Sequence, residues 1–324
     1  MAINWALNVN KDISNNDALS ELALKLFNKV IGAFEQKADT YGKTYQQGIS
    51  GGSSYQFIMY GDLADSDLRY HENPSTDFQA TAIGQAEKEV FLDKRPHYIR
   101  FDYDDMDTII QQHDKRAYSQ QKAIEKFVLS YDAKHFVKAA DASFSPHPVA
   151  GQPGGNVFYE MNFGIDPEAT RQVLDNIVTD AEEKFIPLEQ LHVFVSPAIF
   201  NWMKVALKDY IVNTDYTNGS VNFNTLTKEF DYSGLKITKS TSLSKLISTG
   251  FVTGVAGNNN YSADFTFTRL IAFHEMSIAT LIGQDIKMHY KDNRAINNKE
   301  IFTMTTVNGV DWLNPNGVYQ VQAM

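Results

Sequence analysis

The longest uninterrupted helical pattern is the feature that most restricts how this chain can fold. Residues 107–142 contain neither glycine nor proline, and apolar side chains recur through them at spacings of three and four. At 1.5 Å per residue, such a helix is about 50 Å long, well beyond the usual three turns. We therefore predict one helix that spans the whole molecule. It should end in residues 143–155, where prolines and glycines favour an exposed loop.

The chain before this helix carries two further patterns. In residues 18–39, apolar side chains lie three and four positions apart after a polar cap, which predicts an amphipathic helix. Its apolar positions are Leu19, Leu22, Leu26, Val30 and Phe34. Residues 41–54 are polar and include Gly48, Gly51 and Gly52. They predict an extended connection, an arm, rather than a packed element.

Two predicted strands, residues 55–59 and 97–103, enclose some forty mainly polar residues rich in Asp and Glu. These residues have few large apolar groups and cannot form a core of their own, so they predict a long hairpin-like loop. Ordering one residue costs about 1–2 kcal/mol. We therefore expect the arm and the loop to gain order by lying across other molecules.

The second half predicts a layered α+β domain. Asp166 and Pro167 begin a helix with Val173, Ile177, Ala181 and Phe185 on its inner face. Residues 191–195 predict a buried strand, Ser196 and Pro197 begin a helix through residue 207, and residues 210–233 form a polar excursion. Residues 235–238, 251–255 and 270–273 predict strands, whereas residues 276–282 fit a helix or a buried strand. The tail, residues 300–323, predicts strands with turns at Asn308-Gly309 and at residues 314–317.

Composition restricts the possible environment and partners. The 324 residues carry a net charge of −10, which argues against a surface that coats DNA, because that needs an excess of Lys and Arg. There is no cysteine, which excludes disulfides and thiolate metal sites and suits a reducing cytoplasm. The sequence has neither a leader-like N-terminus nor a long apolar run, so we expect a protein that is not exported and has no membrane partner.

The sequence matches motifs for metal binding, acid–base catalysis and phosphate binding only in part. Asp102, Asp104, Asp105 and Asp107 could bind a divalent cation, but they also suit a strand end followed by a helix N-terminus, which favours negative charge. His113 and Asp114 lie in the predicted long helix, without a recognisable nucleophile. The stretch AGQPGGN at residues 150–156 lacks the Lys and the Ser or Thr of a phosphate loop. We predict no catalytic, cofactor-binding or metal-binding residues and no enzymatic activity.

Charged side chains are instead candidates for contacts between subunits. We predict such contacts for Arg69, Lys88, Lys94, Arg95, Asp102 and Asp104. A basic stretch, Lys287, His289, Lys291, Arg294 and Lys299, is interrupted by acidic residues. It fits a solvated face or an ion-pair network between subunits better than a DNA contact.

The order of elements resembles that of a known family. The stretches SGGSSYQFIMYGD at residues 50–62 and FDYDDMDTIIQQHDKRAYSQQKAIEKFVLSYDAKHFVKAA at residues 101–140 resemble the major capsid proteins of short-tailed bacteriophages of the autographivirus (podovirus) type. These proteins have the Hong Kong 97-like capsid fold. The resemblance also includes the C-terminal stretch from residue 270, and it is weakest between residues 156 and 264.

The resemblance implies an α+β fold with an N-terminal arm (residues 1–52), an extended two-stranded loop (53–106), a peripheral domain with the spine helix (107–166), an axial domain (167–264) and a return to the peripheral domain (265–324). It implies a shell subunit that forms hexamers and pentamers around double-stranded DNA. The DNA would be contacted weakly, and a portal protein would occupy one vertex. Because the chain reaches the arm within a few dozen residues, a separate scaffolding protein is implied. The resemblance places the protein in the virion, after assembly in the bacterial host cytoplasm.

Two alternatives remain. A cellular nanocompartment shell of the same fold would assemble alone around a cargo enzyme. A metal-dependent hydrolase would use the acidic cluster at residues 102–107 and would bind metal.

Overall fold

The computed structural model describes residues 34, 37–60, 83–94, 96–104, 114–207, 211–212, 228–293 and 299–324. Most of the predicted amphipathic helix, the middle of the predicted loop and residues 107–113 of the predicted long helix lie outside these ranges. The chain divides into two compact units. The first takes residues 1–38, 95–130 and 284–308, and the second takes residues 39–94, 131–283 and 309–324.

The long helix is confirmed as α1, Asp114–Ser143, with 30 residues. It contributes residues to both units, as do strands β15 (Ile278–Asn293) and β16 (Lys299–Trp312). In the first unit, the predicted strand at residues 97–103 is confirmed as β4 (His97–Asp104), which pairs antiparallel with β16. The apolar run at residues 276–282 fitted either a helix or a buried strand. Its residues from Ile278 onwards belong to β15, so the strand interpretation is the right one.

The second unit contains a sheet of seven strands. They are β5 (Asn156–Tyr159), β6 (Leu191–Val195), β7 (Ile211–Val212), β8 (Glu229–Tyr232), β9 (Leu235–Lys239), β14 (Thr268–His274) and β17 (Val318–Gln322). Their order in the sheet is β5, β17, β14, β6, β9, β8, β7. Strand β6 pairs parallel with β9 and antiparallel with β14, which in turn pairs antiparallel with β17.

Both faces of this sheet are covered, so its central strand β6 is buried at every position and apolar at four of five. In β6, Val193 and Val195 face a core shared with α2 (Pro167–Glu183) and α3 (Pro197–Ala206). Phe194 faces the opposite core, where its ring lies 5.2 Å from that of Phe136 on α1. The predicted buried strand is therefore confirmed as the centre of two cores.

The predicted caps of α2 and α3 are both confirmed. The Asp166 side chain accepts a hydrogen bond from Glu168 N–H at the start of α2, and Ser196 accepts one from Ile199 N–H at the start of α3. A further helix, α4 (Thr241–Thr249), was not predicted because its sequence, TSLSKLIST, favours caps and turns over helix. Ser240 caps it by accepting from Leu243 N–H.

Smaller strand pairs complete the second unit. Strands β10 (Phe251–Val252) and β11 (Val255–Ala256) divide the predicted strand at residues 251–255 into two pieces. They pair antiparallel with β13 (Ala263–Asp264) and β12 (Asn259–Asn260), respectively. Two longer strands, β2 (Ser54–Tyr60) and β3 (Gln85–Phe91), form an antiparallel hairpin.

The prediction that residues 41–54 form an unpacked connection is wrong for their first part. Strand β1 (Tyr45–Gly48) pairs parallel with β15 through residues 279–282, and the side chain of Thr44 is buried. The four-residue strand ends at a glycine and carries polar side chains, so it has none of the alternation that predicts a strand.

The predicted inner position of Phe185 is also wrong. Helix α2 ends at Glu183, and Phe185 lies beyond it with a φ of 55° and a side chain that is 94% exposed. Its left-handed backbone turns the aromatic ring away from the face that Val173, Ile177 and Ala181 bury.

The Asn308-Gly309 turn is wrong as well, whereas the turn at residues 314–317 is confirmed. Asn308 and Gly309 lie inside β16. A Cβ atom at Gly309 would lie 2.0 Å from the carbonyl oxygen of Phe91 and 2.9 Å from the Cα of Leu92. Glycine is required there because two backbones approach closely, not because the chain turns.

Gly309→Ala should lower the free energy of unfolding by about 1–3 kcal/mol or more, because backbone atoms cannot move aside as a flexible side chain can. Gly48→Ala is the matched control, since a Cβ atom there meets nothing within 4 Å. Urea unfolding followed by circular dichroism measures both. Equal effects of the two substitutions would contradict the close backbone contact.

Phe185→Gly should raise the free energy of unfolding by about 0.5–1 kcal/mol, because glycine adopts a positive φ without strain. Phe144, another exposed phenylalanine, does not have a positive φ, so Phe144→Gly should give no such gain. The same unfolding measurement compares them, and a loss of stability in Phe185→Gly would refute the argument.

Candidate assembly surface

The predicted two-stranded loop is present, but its second strand is not the predicted one. Strand β2 pairs with β3, from Ser54 opposite Phe91 to Tyr60 opposite Gln85, whereas the strand at residues 97–104 pairs with β16. The sequence of β3, QAEKEVF, has charged or polar groups at four of seven positions and therefore resembles a loop. Residues 61–82, between the two strands, lie outside the described residues.

One face of the hairpin packs against its own chain, although Tyr55 on this face is 41% exposed. Met59 of β2 and Val90 of β3 are buried, and the ring of Phe57 lies 5.8 Å from that of Tyr45 on β1. Val90 packs with Ala279 and Leu281 of β15 and with Leu313. This inner face ties the hairpin to the long strands of the second unit.

Lys88 strengthens the same attachment. It lies opposite Phe57 in the hairpin, and its ammonium lies 2.9 Å from the centre of the Trp312 ring and 3.6 Å from the Asp311 carboxylate. Lys138 of α1 lies 3.1 Å from the same carboxylate. Burial lowers the pKa of Lys88 to about 8. This predicted contact residue thus has a cation–π and ionic environment within its own chain.

The outer face of the hairpin has the opposite character. Ile58 and Tyr60 are 53% and 65% exposed, and they project from the side of β2 that turns away from Met59. Glu87 and Glu89 of β3 are exposed on this face beside them, and Gln56 donates a hydrogen bond to Glu87. Two large apolar side chains flanked by carboxylates suit a protein surface that supplies apolar contact and cations.

A buried polar cluster fixes the root of the hairpin. Leu92 N–H donates to the Ser53 carbonyl over 2.8 Å, which closes the two strands. The next residue, Asp93, is buried and lies 2.7 Å from the Lys134 ammonium of α1. Its other carboxylate oxygen accepts hydrogen bonds from the Asn259 side chain at 2.9 Å and the Tyr261 hydroxyl at 3.1 Å.

The cluster continues through Tyr261, whose hydroxyl oxygen accepts a hydrogen bond from Val310 N–H over 3.1 Å. Asn259 also donates to the Phe91 carbonyl, beside Gly309. Because an ionised buried carboxylate is costly unless it is paired, these bonds make the root rigid and specific. The direction in which the outer face points is therefore set by the core.

The described start of the arm is attached by a chain of three side chains. The neutral His135 ring donates from Nδ1 to the Tyr131 carbonyl at 2.8 Å, and its Nε2 accepts from the Thr280 hydroxyl at 2.7 Å. The Thr44 hydroxyl then donates to Thr280 over 2.9 Å. Burial lowers the pKa of His135 to about 4, so the ring stays neutral near neutral pH. This order of donors fixes β1 beside β15.

The structure places the other predicted residues separately. Lys94 is exposed, and the Arg100 guanidinium makes two hydrogen bonds to Asp102, at 2.7 and 3.0 Å, along one face of β4. The backbone of Asp104 lies opposite that of Lys299 where β4 pairs with β16. Several candidates lie outside the described residues, namely Arg69, Arg95, Asp105, Asp107, His113 and Arg294.

Sequence reasoning missed the residues that hold this surface in place. Asp93, Asn259, Tyr261 and Gly309 come from three distant stretches of chain, and no spacing rule connects them. Within the described ranges, no cluster of three or more His, Cys, Asp or Glu residues could hold a metal ion. Each helix in these ranges is too short or too polar to span a lipid bilayer.

Comparisons with known proteins bear on the fold. No family model matches the chain, and no curated protein matches it either. Solved structures do match. The capsid of the cyanophage P-SCSP1u is 21% identical, with a TM-score of 0.70 over 87% of this chain and 86% of that chain. The mature capsid of bacteriophage PhiM1 is 15% identical, with a TM-score of 0.64 over 88% of this chain and 87% of that chain.

A virus-like particle from Pyrococcus furiosus is 13% identical, with a TM-score of 0.55 over 93% of this chain and all of that chain. At these identities the likeness concerns the fold. The predicted α+β class is confirmed, and the chain has the Hong Kong 97-like fold of these capsid structures.

Proposed function

We propose that this chain is the major capsid protein of a tailed bacteriophage of the short-tailed type, a structural subunit that self-assembles into the icosahedral shell around a double-stranded DNA genome. The observation that carries the proposal is the outer face of the hairpin, where Ile58 and Tyr60 are exposed, whereas Met59 and Val90 on the opposite face are buried. The fold shared with phage capsid structures supports it.

One subunit alone cannot gain the free energy of burying these two exposed side chains. Fully burying one Ile side chain stabilises a contact by about 1.5–3 kcal/mol. A neighbouring subunit that covers Ile58 and Tyr60 would supply that burial, and its cations would meet Glu87 and Glu89. Modest contacts of this kind suffice for a shell, because lattice closure multiplies them.

The partners follow from this role. Copies of the chain form hexamers and pentamers, a separate scaffolding protein directs assembly, and a portal protein occupies one vertex. The packaged DNA is contacted weakly, in agreement with a net charge of −10. Assembly takes place in the bacterial host cytoplasm, which suits a chain without cysteine, and the product is the virion capsid.

We also propose that the chain is divided into the segments that the family resemblance implies. The arm is residues 1–52, the extended loop 53–106, the peripheral domain 107–166 with 265–324, and the axial domain 167–264. Contacts between subunits are proposed for Arg69, Lys94, Arg95, Asp102 and Asp104. Lys88 would contribute through the shape of the inner hairpin face, since its ammonium contacts Trp312 and Asp311 of its own chain.

A nanocompartment shell is the second candidate, supported by the likeness to the Pyrococcus furiosus virus-like particle. Such a shell would assemble without a scaffolding protein and enclose a cargo protein. The phage capsids of P-SCSP1u and PhiM1 match with higher TM-scores, 0.70 and 0.64 against 0.55. We therefore favour the viral shell.

The deciding experiment is negative-stain electron microscopy of the purified chain, expressed alone and together with a candidate scaffolding protein. We expect closed particles of uniform size when the scaffold is present. Uniform particles without it, filled with a host protein, would favour the nanocompartment. A monomer at every concentration under both conditions would refute both shell functions.

Neighbouring residues on opposite faces of β2 allow a sharper test. Ile58→Asp should abolish particles and leave the free energy of unfolding of the unassembled chain within about 0.5 kcal/mol, because the side chain is exposed. Met59→Asp should instead lower that free energy by several kcal/mol, because it buries an unpaired charge. Normal particles from Ile58→Asp would show that the outer face does not contribute to assembly.

A further inference from the structure

An exposed phenylalanine occupies a position at the end of α2 that usually belongs to glycine. Ile186 N–H donates to the Ala181 carbonyl over 2.8 Å, and Phe185 N–H donates to the Glu182 carbonyl over 3.0 Å. These two bonds form a Schellman motif, in which the residue with a positive φ is most often glycine. Phe185 has a φ of 55° and is 94% exposed. Its ring therefore costs the isolated chain backbone strain and gains no buried contact in return.

Carboxylates surround this phenylalanine. Glu182 and Glu183 lie in the last turn of α2, where negative charge is unfavourable, and Glu189 lies in the 3₁₀ helix that follows. All three are exposed and have no ion pair within the described residues. Lys184, which lies between them, is paired with Asp180 over 2.6 Å. We call Phe185, Glu182, Glu183 and Glu189 the acidic surface.

A second surface of the same unit has the complementary character. Phe251 of β10 and Val255 of β11 are 62% and 78% exposed. Lys94 is exposed beside them, because a Cβ atom at Gly257 would lie 2.6 Å from its Cγ atom. Lys245 is exposed on α4, which contacts β10, and neither lysine has an ion pair within the described ranges. We call Phe251, Val255, Lys94 and Lys245 the basic surface.

One carboxylate also lies at the basic surface. Asp264 lies opposite Phe251 where β10 pairs with β13. Its Oδ1 atom accepts hydrogen bonds from the Thr266 N–H at 2.9 Å and from the Thr266 hydroxyl at 2.6 Å. This carboxylate thus has its donors within its own loop, and the two lysines remain to pair with carboxylates of another molecule.

The two surfaces belong to opposite layers of the second unit. Ile186, which follows Phe185, packs against the core that α2 and α3 share. Val252 and Ala256, in β10 and β11, pack against the core on the other face of the sheet, which includes Phe136 of α1. Both surfaces are exposed, so they do not meet within one molecule. A contact between them in two copies is heterologous, and it continues from copy to copy until a ring closes.

We propose that the acidic surface of one copy of this chain binds the basic surface of the next copy, with Phe185 against Phe251 and Val255. The glutamates then pair with Lys94 and Lys245. The inference rests on the proposed shell function, for which it supplies a contact that joins copies into a ring. Copies with a net charge of −10 repel each other in general, so local pairing of opposite charges determines how they meet.

Cross-linking tests the pairing cleanly, because the chain has no cysteine of its own. Under assembly conditions, a short bismaleimide should convert the double variant Phe185→Cys, Val255→Cys into a ladder of covalent multimers in denaturing electrophoresis. Either single variant should stay monomeric. A mixture of the two single variants should stop at dimers, because each copy then has one reactive end. The matched control Phe144→Cys, Val255→Cys replaces another exposed phenylalanine and should give no ladder.

Electron microscopy of the same samples separates this inference from the shell function. Particles without a ladder would overturn the pairing and leave the shell function standing. A ladder without closed particles would support the pairing and refute the shell. Dimers from Phe185→Cys alone would show that the acidic surface meets itself, which overturns the heterologous contact. Neither particles nor a ladder would refute both proposals.

Charge reversal gives an independent measurement. Introduced into the double-cysteine chain, Glu182→Lys with Glu189→Lys should lower the yield of the ladder about tenfold, because lysines then face lysines. Adding Lys94→Glu and Lys245→Glu should restore the yield to within about twofold, because opposite charges face each other again. An unchanged yield after the first reversal would overturn the pairing. A loss that the second reversal does not restore would also overturn it, and would indicate that the acidic surface binds a different, basic protein.

Discussion

The burial of the C-terminal half of α1 is the constraint on which the second unit depends. Phe136 packs against the central strand of the seven-stranded sheet, so this part of the helix has almost no solvent-facing side. A helix turns about 100° per residue, and successive side chains therefore reach different neighbours. Asp132 holds the arm, Lys134 the hairpin root, and His135 the contact between β1 and β15. One turn of helix thus positions three separate segments.

Polar side chains can perform this role only because each has its partner. A buried charge or amide without a partner costs several kcal/mol. Each contact therefore stabilises the fold only in the geometry that keeps both partners hydrogen-bonded. The apolar contacts of Phe136 would tolerate a small shift of the helix, whereas the bond between Lys134 and Asp93 would not. The apolar core supplies much of the stability, and the polar groups determine which segments lie where.

Sequence patterns predicted those elements whose local signals agree with their tertiary environment. Helices α1 and α2 and strand β6 were predictable because caps, periodicity and apolar content all pointed the same way. Strand β3 was not, because only one of its faces is buried and Lys88 on that face is a charged residue stabilised by Trp312. The hydrogen bond from Asp39 N–H to the Asp132 carboxylate was equally hidden, since only folding brings these residues together.

The hairpin of β2 and β3 connects the buried polar contacts of the core to the exposed surface. Its outer face can meet a neighbouring molecule productively only if the strands keep a fixed direction, because an apolar contact of two side chains is too weak to align a mobile hairpin against its ordering entropy. The root supplies that alignment in advance, through Asp93 and the backbone contact at Gly309. Ile58 and Tyr60 are thus presented by a rigid support. The free energy that a neighbour gains by covering them is then available for association rather than for ordering the strands.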